Sequence, residues 1–434
     1  LWPLRRCIFA SAILVAIFAL VIVLVMELDI RLFWIILIGL VAGIVIGLST
    51  EYYSSYDYEP VKQIAASCDL DPSLGGSLVK HCERRQGKKP ARILEYRKVL
   101  DDKNVDAVIN ATPDHWHCLP MVEACQAGKD VYCEKPLTHT VQEARLLARE
   151  AARQKVATQM GTQNHEHPGY LRLVELLETD AVGPIREAHI ITDRPGRFWP
   201  QGVAVPTDRP KTPANLSWDL WLGPAPRREY HPAFVPFRWR GWWDFGCGAI
   251  GDMAIHLMDP SFWGLKLGGK VRVSSMGPRP NSQSGPTWMI TKFEFGQRGK
   301  KPPVDVFWYE GTARPSEPVA RELPMNGSLF IGEKGRIAIA HGAMPQLLPK
   351  EQFKDFQPPK PYLPDSPGHH QQWIHAAKTG SPTGSHFGYA GPFTEIVLLG
   401  NVAYRVGETI EYDPKKMKVT NNKAANDLHR KDYR

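Results

Sequence analysis

Between Asp101 and Gln163 the chain alternates strand-like and helix-like stretches so regularly that few architectures can hold it. Val105 to Ala111 is mostly small and β-branched and stops at Thr-Pro. Leu119 to Ala127 has helical spacing and closes on Gly128, a suitable residue to end a helix. Asp130 to Cys133 is strand-like again and stops at Glu134-Lys135-Pro136. Thr140 and Glu143 stand at capping-box spacing and open a helix through Arg153. Lys155 to Met160 completes the series and ends in Gly161-Thr162-Gln163. Strand, helix, strand, helix, strand at this spacing predicts a parallel sheet with right-handed crossovers. Such sheets bind ligands outside the carboxyl ends of their strands. Chemistry is therefore expected at Ala111-Thr112-Pro113-Asp114 and at Glu134-Lys135-Pro136.

The chain in front of this region is of another kind. Cys7 to Met26 is a run of twenty residues without a charge, and Leu32 to Leu48 is seventeen more. About 20 apolar residues cross the hydrocarbon of a bilayer, so both runs are expected to span as a hairpin. A secretory signal would carry one shorter apolar core. Arg5 and Arg6 favour the inside for the first end, which would return the rest of the chain to the cytoplasm. Gly39, Gly43 and Gly47 recur every fourth residue, a pattern for close helix packing in lipid rather than for a phosphate loop. If the apolar segment is foreign to the chain, the soluble part is expected to be simply cytoplasmic.

After Gln163 the expected elements are a helix over Tyr170 to Glu178 and a strand over Ile185 to Ile191. Arg194 to Phe245 reads as a proline-rich insertion holding six of the thirteen tryptophans. These are a sugar-binding platform or, as the more economical reading, a local core for a segment without regular structure. From Val271 onward strands dominate: Val271 to Met276, Thr287 to Phe295, Val304 to Glu310, Ser328 to Ile331 and Arg336 to Ala340. This predicts a mostly antiparallel sheet with one open face. Helices are expected over His369 to Lys378 and Pro392 to Arg405, followed by a polar, loosely ordered tail.

Asp252 and His256 lie four apart on a predicted helix and so share a face. A base on such a face could take a proton from a bound hydroxyl. A histidine, ordinarily titrating near about 6.5, suits that proton at neutral pH. Asp114-His115-Trp116-His117 and His165-Glu166-His167 invite a metal reading, but neither supplies a third and fourth ligand at recognisable spacing. No metal is expected. The net charge of +8 comes without a dense basic stripe interleaved with aromatics, which excludes a nucleic-acid reading. Seven cysteines without a C-x-x-C pair argue against a disulfide framework.

ATPDHWH at Ala111 to His117, GKDVYCEKP at Gly128 to Pro136, GTQ at Gly161 to Gln163 and Gly251-Asp252-Met-Ala-Ile-His256 together resemble the Gfo/Idh/MocA family of NAD(P)-dependent sugar and polyol dehydrogenases. The likeness runs from about Ser67 to the C-terminus. It implies NAD or NADP as cofactor and a sugar, polyol or sugar acid as substrate, with a homo-oligomer compatible. It further implies His256 as general base, Asp252 binding a neighbouring hydroxyl or orienting the imidazole, and Lys135 donating to the reacting oxygen. Thr112, Pro113 and Gln163 would line the nicotinamide side, with Glu134 and Pro136 also facing the cofactor. Pro136 suggests a rigid turn, of cis form, aiming Lys135 into the cleft. Asp69 matches the acidic position that binds the adenosine ribose.

The glycine-rich turn that should precede Asp69 is not found there. One G-x-G-x-x-G exists at Gly246, Gly248 and Gly251, but no βαβ pattern surrounds it, and a tight turn into the Asp252 helix explains it better. The stretch Ile38 to Ser67 resembles a segment of the membrane-integral, ion-pumping pyrophosphatases, without the spans or acidic clusters that pumping needs. The expected fold class is thus α/β. Residues 1–66 are expected to form a membrane hairpin with two transmembrane helices, foreign or fused in origin; 67–163 an incomplete Rossmann-like parallel sheet lacking the first βαβ unit; and 164–434 an α/β substrate domain with the open sheet. A dehydrogenase with weakened cofactor binding is expected; a NAD-dependent glycosidase and a non-catalytic, membrane-tethered sugar-binding protein are the alternatives.

Overall fold

A computed structural model describes residues 76–196 and 198–434. The two apolar runs, the 1–66 segment and Asp69 lie outside the described residues. No helix among the described residues is long and apolar enough to cross a membrane. Two compact units divide the chain. The described part of the first contains one helix, Gly76–Gln86, with Arg84 and Arg85 in its last turn, where cations suit the helix dipole.

The second unit includes Leu94–Arg434 and holds both predicted sheets. The first is three-stranded and parallel, with β1 (Ala107–Asn110), β2 (Asp130–Cys133) and β3 (Thr158–Met160) in that spatial order. The strands begin two or three residues later than expected at β1 and β3. Val131, Tyr132, Cys133 and Met160 are fully enclosed. The crossover helices are Cys118–Gln126 and Val141–Gln154. Thr140 and Glu143 form the expected capping box, in which each side chain accepts from the other's backbone N–H. Ile109 in β1, at the edge of the described sheet, is 53% exposed.

The second sheet has nine strands, of which only β4 (Ile185–Ile191) and β7 (Val304–Glu310) pair in parallel. β5 (Val271–Met276) and β6 (Met289–Phe295) lead into β7, and β8 (Gly327–Gly332), β9 (Arg336–Ala340) and β10 (Gln346–Leu348) extend the other side. Phe293, Val306, Trp308 and Phe330 fill one face and join the main apolar core, along with the helix Phe387–Val406. The opposite face is half-open, as alternation predicts, and there His189 stacks on Phe307 at 4.8 Å. The Phe387–Val406 helix starts before Pro392, which lies inside it.

The tail departs from expectation. β11 (Ile410–Asp413) and β12 (Lys418–Val419) close the sheet, and Lys423–Asp427 is helical. Tyr433 donates to Glu143 at 2.7 Å and Lys431 pairs with the same carboxylate at 3.1 Å. Polar residues are ordered here because they satisfy a buried capping carboxylate, which composition does not reveal.

The tryptophan-rich insertion makes its own core. Trp221, Trp239, Trp242, Phe234 and Phe245 cluster, and Trp218 stacks on Trp221 at 4.8 Å. Local packing accounts for the order of these rings.

Candidate active site

The two polar turns predicted at the strand ends are locked to each other by a histidine. His117 follows the short 3-10 turn Asp114–Trp116, and its ring nitrogens lie 2.7 Å from the Pro136 carbonyl oxygen and 2.8 Å from that of Thr112. Thr112 donates from its hydroxyl to Asn110 Oδ1 at 2.8 Å, and Pro113 caps the 3-10 turn. Asp114 accepts the Cys247 N–H at 3.0 Å, and His115 sits between the carbonyls of Trp221 and Phe245. The D-H-W-H motif therefore ties the strand ends to the insertion. His165 pairs with Asp259 at 2.9 Å, and His167 accepts the Gly169 N–H at a helix start. Both histidine-rich motifs are spent on structure, and no cluster of three metal-ligating side chains occurs among the described residues.

Lys135 leaves the end of β2 before the Lys135–Pro136 bond, which is cis. Its Nζ lies 2.5 Å from Asp252 Oδ1 and 3.1 Å from the Asp252 carbonyl oxygen. Asp252 does not sit on an ordinary α-helix. It lies in a π-helical turn, Ile250–Ala254, which runs into an α-helical turn, Ile255–Leu257, bearing His256. Such π turns recur at functional sites. Of the three glycines, two lead into the turn, where a Cβ on Gly246 would lie 2.6 Å from Arg240 backbone and Gly248 has a φ of +66°, and Gly251 lies within the turn. The apparent dinucleotide fingerprint is thus the tight approach to this turn.

Two arginines complete the surroundings of Asp252. Arg194 Nη1 reaches Oδ2 at 2.8 Å and Arg240 Nε reaches Oδ1 at 3.3 Å. Burial alone would raise the Asp252 pKa, but the charges of Lys135, Arg240 and Arg194 outweigh it and hold the carboxyl at about 2. His256 is 8% exposed, and its Nδ1 is enclosed without a hydrogen-bond partner. Burial first, and the Lys135 charge next, lower the His256 pKa to about 3, so the imidazole is neutral at ordinary pH. The His341 ring lies 5.7 Å away. Thr162, after β3, donates to the Ile255 carbonyl at 3.1 Å and holds the His256 turn against the parallel sheet.

The positions expected to face the cofactor also come together. Gln163 donates to Glu134 Oε1 at 3.3 Å and to the Tyr132 hydroxyl at 3.2 Å. Gly161 passes so close that a Cβ there would lie 2.6 Å from Glu134 Oε2 and 3.1 Å from its Cα. Lys135, Asp252 and His256 are thus gathered, with Thr112, Pro113, Glu134, Pro136 and Gln163 around the same strand ends. Arg194, Arg240, Thr162 and His341 were not found from sequence. Arg194 follows β4 closely enough to have been suspected; Arg240 was hidden in an aromatic run.

Three family models match the chain, two of them overlapping over residues 59–75. Residues 59–162 match the oxidoreductase family, NAD-binding Rossmann fold model of the Gfo/Idh/MocA group, and residues 197–294 match the C-terminal alpha/beta domain of the same group. Residues 2–75 match the model of inorganic H+ pyrophosphatase. Levoglucosan dehydrogenase of Pseudarthrobacter phenanthrenivorans is 27% identical over 250 residues, 57% of this chain and 54% of that protein. The alpha-N-acetylgalactosaminidase of Shewanella oneidensis is 32% identical over 85 residues, 19% of this chain and 18% of the enzyme. The chain therefore spans about half the length of the first of these curated relatives and less of the second. The structure of the WlbA dehydrogenase of Bordetella pertussis, solved with NADH and UDP-GlcNAcA, superposes with a TM-score of 0.51 at 18% identity, over 79% of this chain and 88% of that one. At that identity the likeness concerns the fold.

Proposed function

We propose that the chain is a member of the Gfo/Idh/MocA oxidoreductase family, whose two domain models match residues 59–162 and 197–294, and an NAD(P)-dependent dehydrogenase of a sugar, polyol or sugar acid. The observation that carries the reading is the meeting of Lys135 with Asp252 at 2.5 Å, one turn from a buried His256 whose Nδ1 has no partner. An orphaned polar atom in a buried place is costly unless a ligand uses it. The nicotinamide end is offered the polar strand-end residues, where Gly161 packs tightly on Glu134 and Gln163 donates to the same carboxylate. Thr112, Pro113, Glu134, Pro136 and Gln163 would hold it there. When bound, the nicotinamide supplies the hydride acceptor.

The chain's own residues supply the rest. The neutral imidazole of His256 accepts the substrate hydroxyl proton. Lys135, as an ammonium, donates to the same oxygen and favours its ionisation. Asp252 anchors Lys135 through Oδ1 and fixes its direction.

The proposal extends to affinity. Nothing between residue 1 and Asp69 carries a glycine-rich phosphate turn, so the chain as written is expected to bind NAD(H) more weakly than micromolar. A micromolar dissociation constant in an NADH fluorescence titration would overturn that part. Turnover is tested at millimolar NAD or NADP against a panel of sugars, polyols and their acids, by formation of the reduced dinucleotide. No reduction with any of them, while a sugar still binds, would favour the non-catalytic binding protein. The likeness to the galactosaminidase supports a second reading, NAD-dependent glycoside cleavage, which release of an aryl group from an aryl N-acetylgalactosaminide would detect. Anchoring through residues 7–26 and 32–48 is a separate proposal, and release of the protein from membranes by alkaline carbonate would sink it.

A further inference from the structure

The cleft holds more positive charge than proton transfer requires. Lys135, Arg194 and Arg240 all reach the single carboxylate of Asp252, three cations against one anion, a surplus of two. A second carboxyl close to Arg240 and Lys135, Asp114, is 4% exposed and accepts the Cys247 N–H. Burial raises its pKa, which weakens its ability to offset the surplus.

Both guanidiniums are mounted on aromatic rings. Arg194 lies 4.3 Å over Phe198 and 5.7 Å over Trp199, and Arg240 lies 4.1 Å over Phe237 and 4.2 Å over Trp239. A ring beneath a guanidinium fixes its plane and leaves the N–H donors at its edge for a ligand. The side-chain bonds described for Arg194 come from Nη1, and those for Arg240 from Nε and Nη1. Each fork therefore keeps donors beyond those that Asp252 and the Phe237 carbonyl take up. Side-chain exposures of 27% and 22% let a ligand reach them.

We propose that this cleft binds an anionic sugar derivative, a uronic or aldonic acid, whose carboxylate is held by Arg194 and Arg240 beside Lys135 and Asp252. The inference rests on the dehydrogenase reading for its place in a reaction, and names the substrate class. Planar forks with donors in hand match a two-oxygen anion in a way that neutral hydroxyls do not. The state of His256 agrees. Burial depresses its basicity first, the Lys135 charge next, and His341 and Arg194 add to that, while Asp252 opposes. An anion docked among these cations moves the imidazole back toward the range where a base works near neutrality; a neutral sugar does not.

The test titrates the whole chain, without dinucleotide, by tryptophan fluorescence, using D-glucuronate, D-galacturonate and D-gluconate beside D-glucose, D-galactose and D-glucose 6-phosphate. At least one carboxylate is expected to bind about tenfold or more tightly than its neutral counterpart, and to weaken with salt. Arg194→Met with Arg240→Met should abolish that preference, and Arg194→Lys with Arg240→Lys, which keep charges beside Asp252, should restore part of it. Equal binding of neutral sugars, tightest binding of the phosphosugar, no binding by any carboxylate, or a preference surviving in the double Met variant would each overturn the proposal. Dinucleotide reduction at millimolar NAD is read in parallel. Bound uronate without reduction counts against the dehydrogenase and leaves the anion site standing. Reduction by neutral sugars with no carboxylate preference does the reverse.

Discussion

Lys135 and Asp252 stand 117 positions apart in the chain, yet the ammonium and the carboxylate meet at 2.5 Å. One comes from the end of a parallel strand and the other from a π-helical turn, so their pairing holds the strand ends of the first sheet to the turn that bears His256. Lys135→Met should leave Asp252 paired with Arg194 and Arg240 and the fold intact, while removing the proposed donor to the reacting oxygen. The expected loss in kcat is about 10²–10⁴-fold, with an unchanged thermal transition, measured by dinucleotide reduction and calorimetry on the same preparation.

The pH profile separates His256 from an ordinary histidine. With burial and then the Lys135 charge holding it at about 3, the free enzyme keeps the imidazole neutral throughout pH 5–8. The acid limb of kcat/KM should thus lie near pH 3–4, with no inflection at the usual histidine value near about 6.5. In Lys135→Met one depressing charge is gone, and the residual activity should lose its acid limb at higher pH than wild type. An inflection near 6.5 in both proteins would count against His256 as the base.

Legibility followed the range of the interaction. The capping box at Thr140 and Glu143, the strands at Asp130–Cys133 and Ile185–Ile191 and the alternation of β5 to β9 are written in neighbours two to four residues apart, and they stand where the sequence places them. Lys135 and His256 were legible through motif spacing. Arg194 and Arg240 were not, because their role exists only after β4 and the insertion fold back onto Asp252. The tail misled for the same reason: Tyr433 and Lys431 look like solvated polar residues until Glu143, some 290 positions earlier, is placed beside them. The π turn has no local signal at all, since Asp252 and His256 keep a spacing that suits an α-helix.

Gly161 tests the cofactor end. A Cβ there meets Glu134 Oε2, which can swing away, but also Glu134 Cα at 3.1 Å, which cannot without moving the strand-end turn. Gly161→Ala should displace Glu134 and Gln163 together and weaken NADH binding by about tenfold, read by fluorescence titration, with sugar binding unchanged. Unchanged NADH affinity would separate these residues from the cofactor.

Asp259 carries stability rather than chemistry. It accepts from His165 at 2.9 Å and from the Tyr389 hydroxyl at 2.6 Å, and His165 stacks on Trp263 at 4.4 Å. Burial would lower the His165 pKa, yet the Asp259 charge more than reverses it, so the folded value is raised. A raised histidine stabilises below its unfolded pKa and loses that contribution as pH climbs through the folded value. Asp259→Asn leaves a buried imidazole without its counter-charge and should cost about 3–5 kcal/mol in urea unfolding at pH 6, and less at pH 9.

Glu310 makes the opposite experiment possible, because removing its charge should help. It is 1% exposed at the end of β7, accepts from Trp308 Nε1 at 2.8 Å, and has its pKa pushed up to about 8, by burial against the opposing hydrogen bonds of Trp308, Gln201 and the Ile250 backbone. Gln201 meanwhile accepts from the Ala249 N–H at 3.0 Å, so both side chains brace the start of the Asp252 turn. In the unfolded chain a glutamate ionises near about 4.3, whereas the folded one keeps its proton to about 8. Between those values the folded state binds more protons, so stability falls as pH rises, on the order of 1.4 kcal/mol per unit of the pKa difference at most. Glu310→Gln keeps the acceptor for Trp308 without the titration. It should match wild type near pH 4.5 and exceed it by a few kcal/mol at pH 9 in chemical denaturation, flattening the alkaline decline. Parallel curves for the two proteins across that range would mean that Glu310 is ionised in the folded state, and that its carboxylate has a partner other than those three.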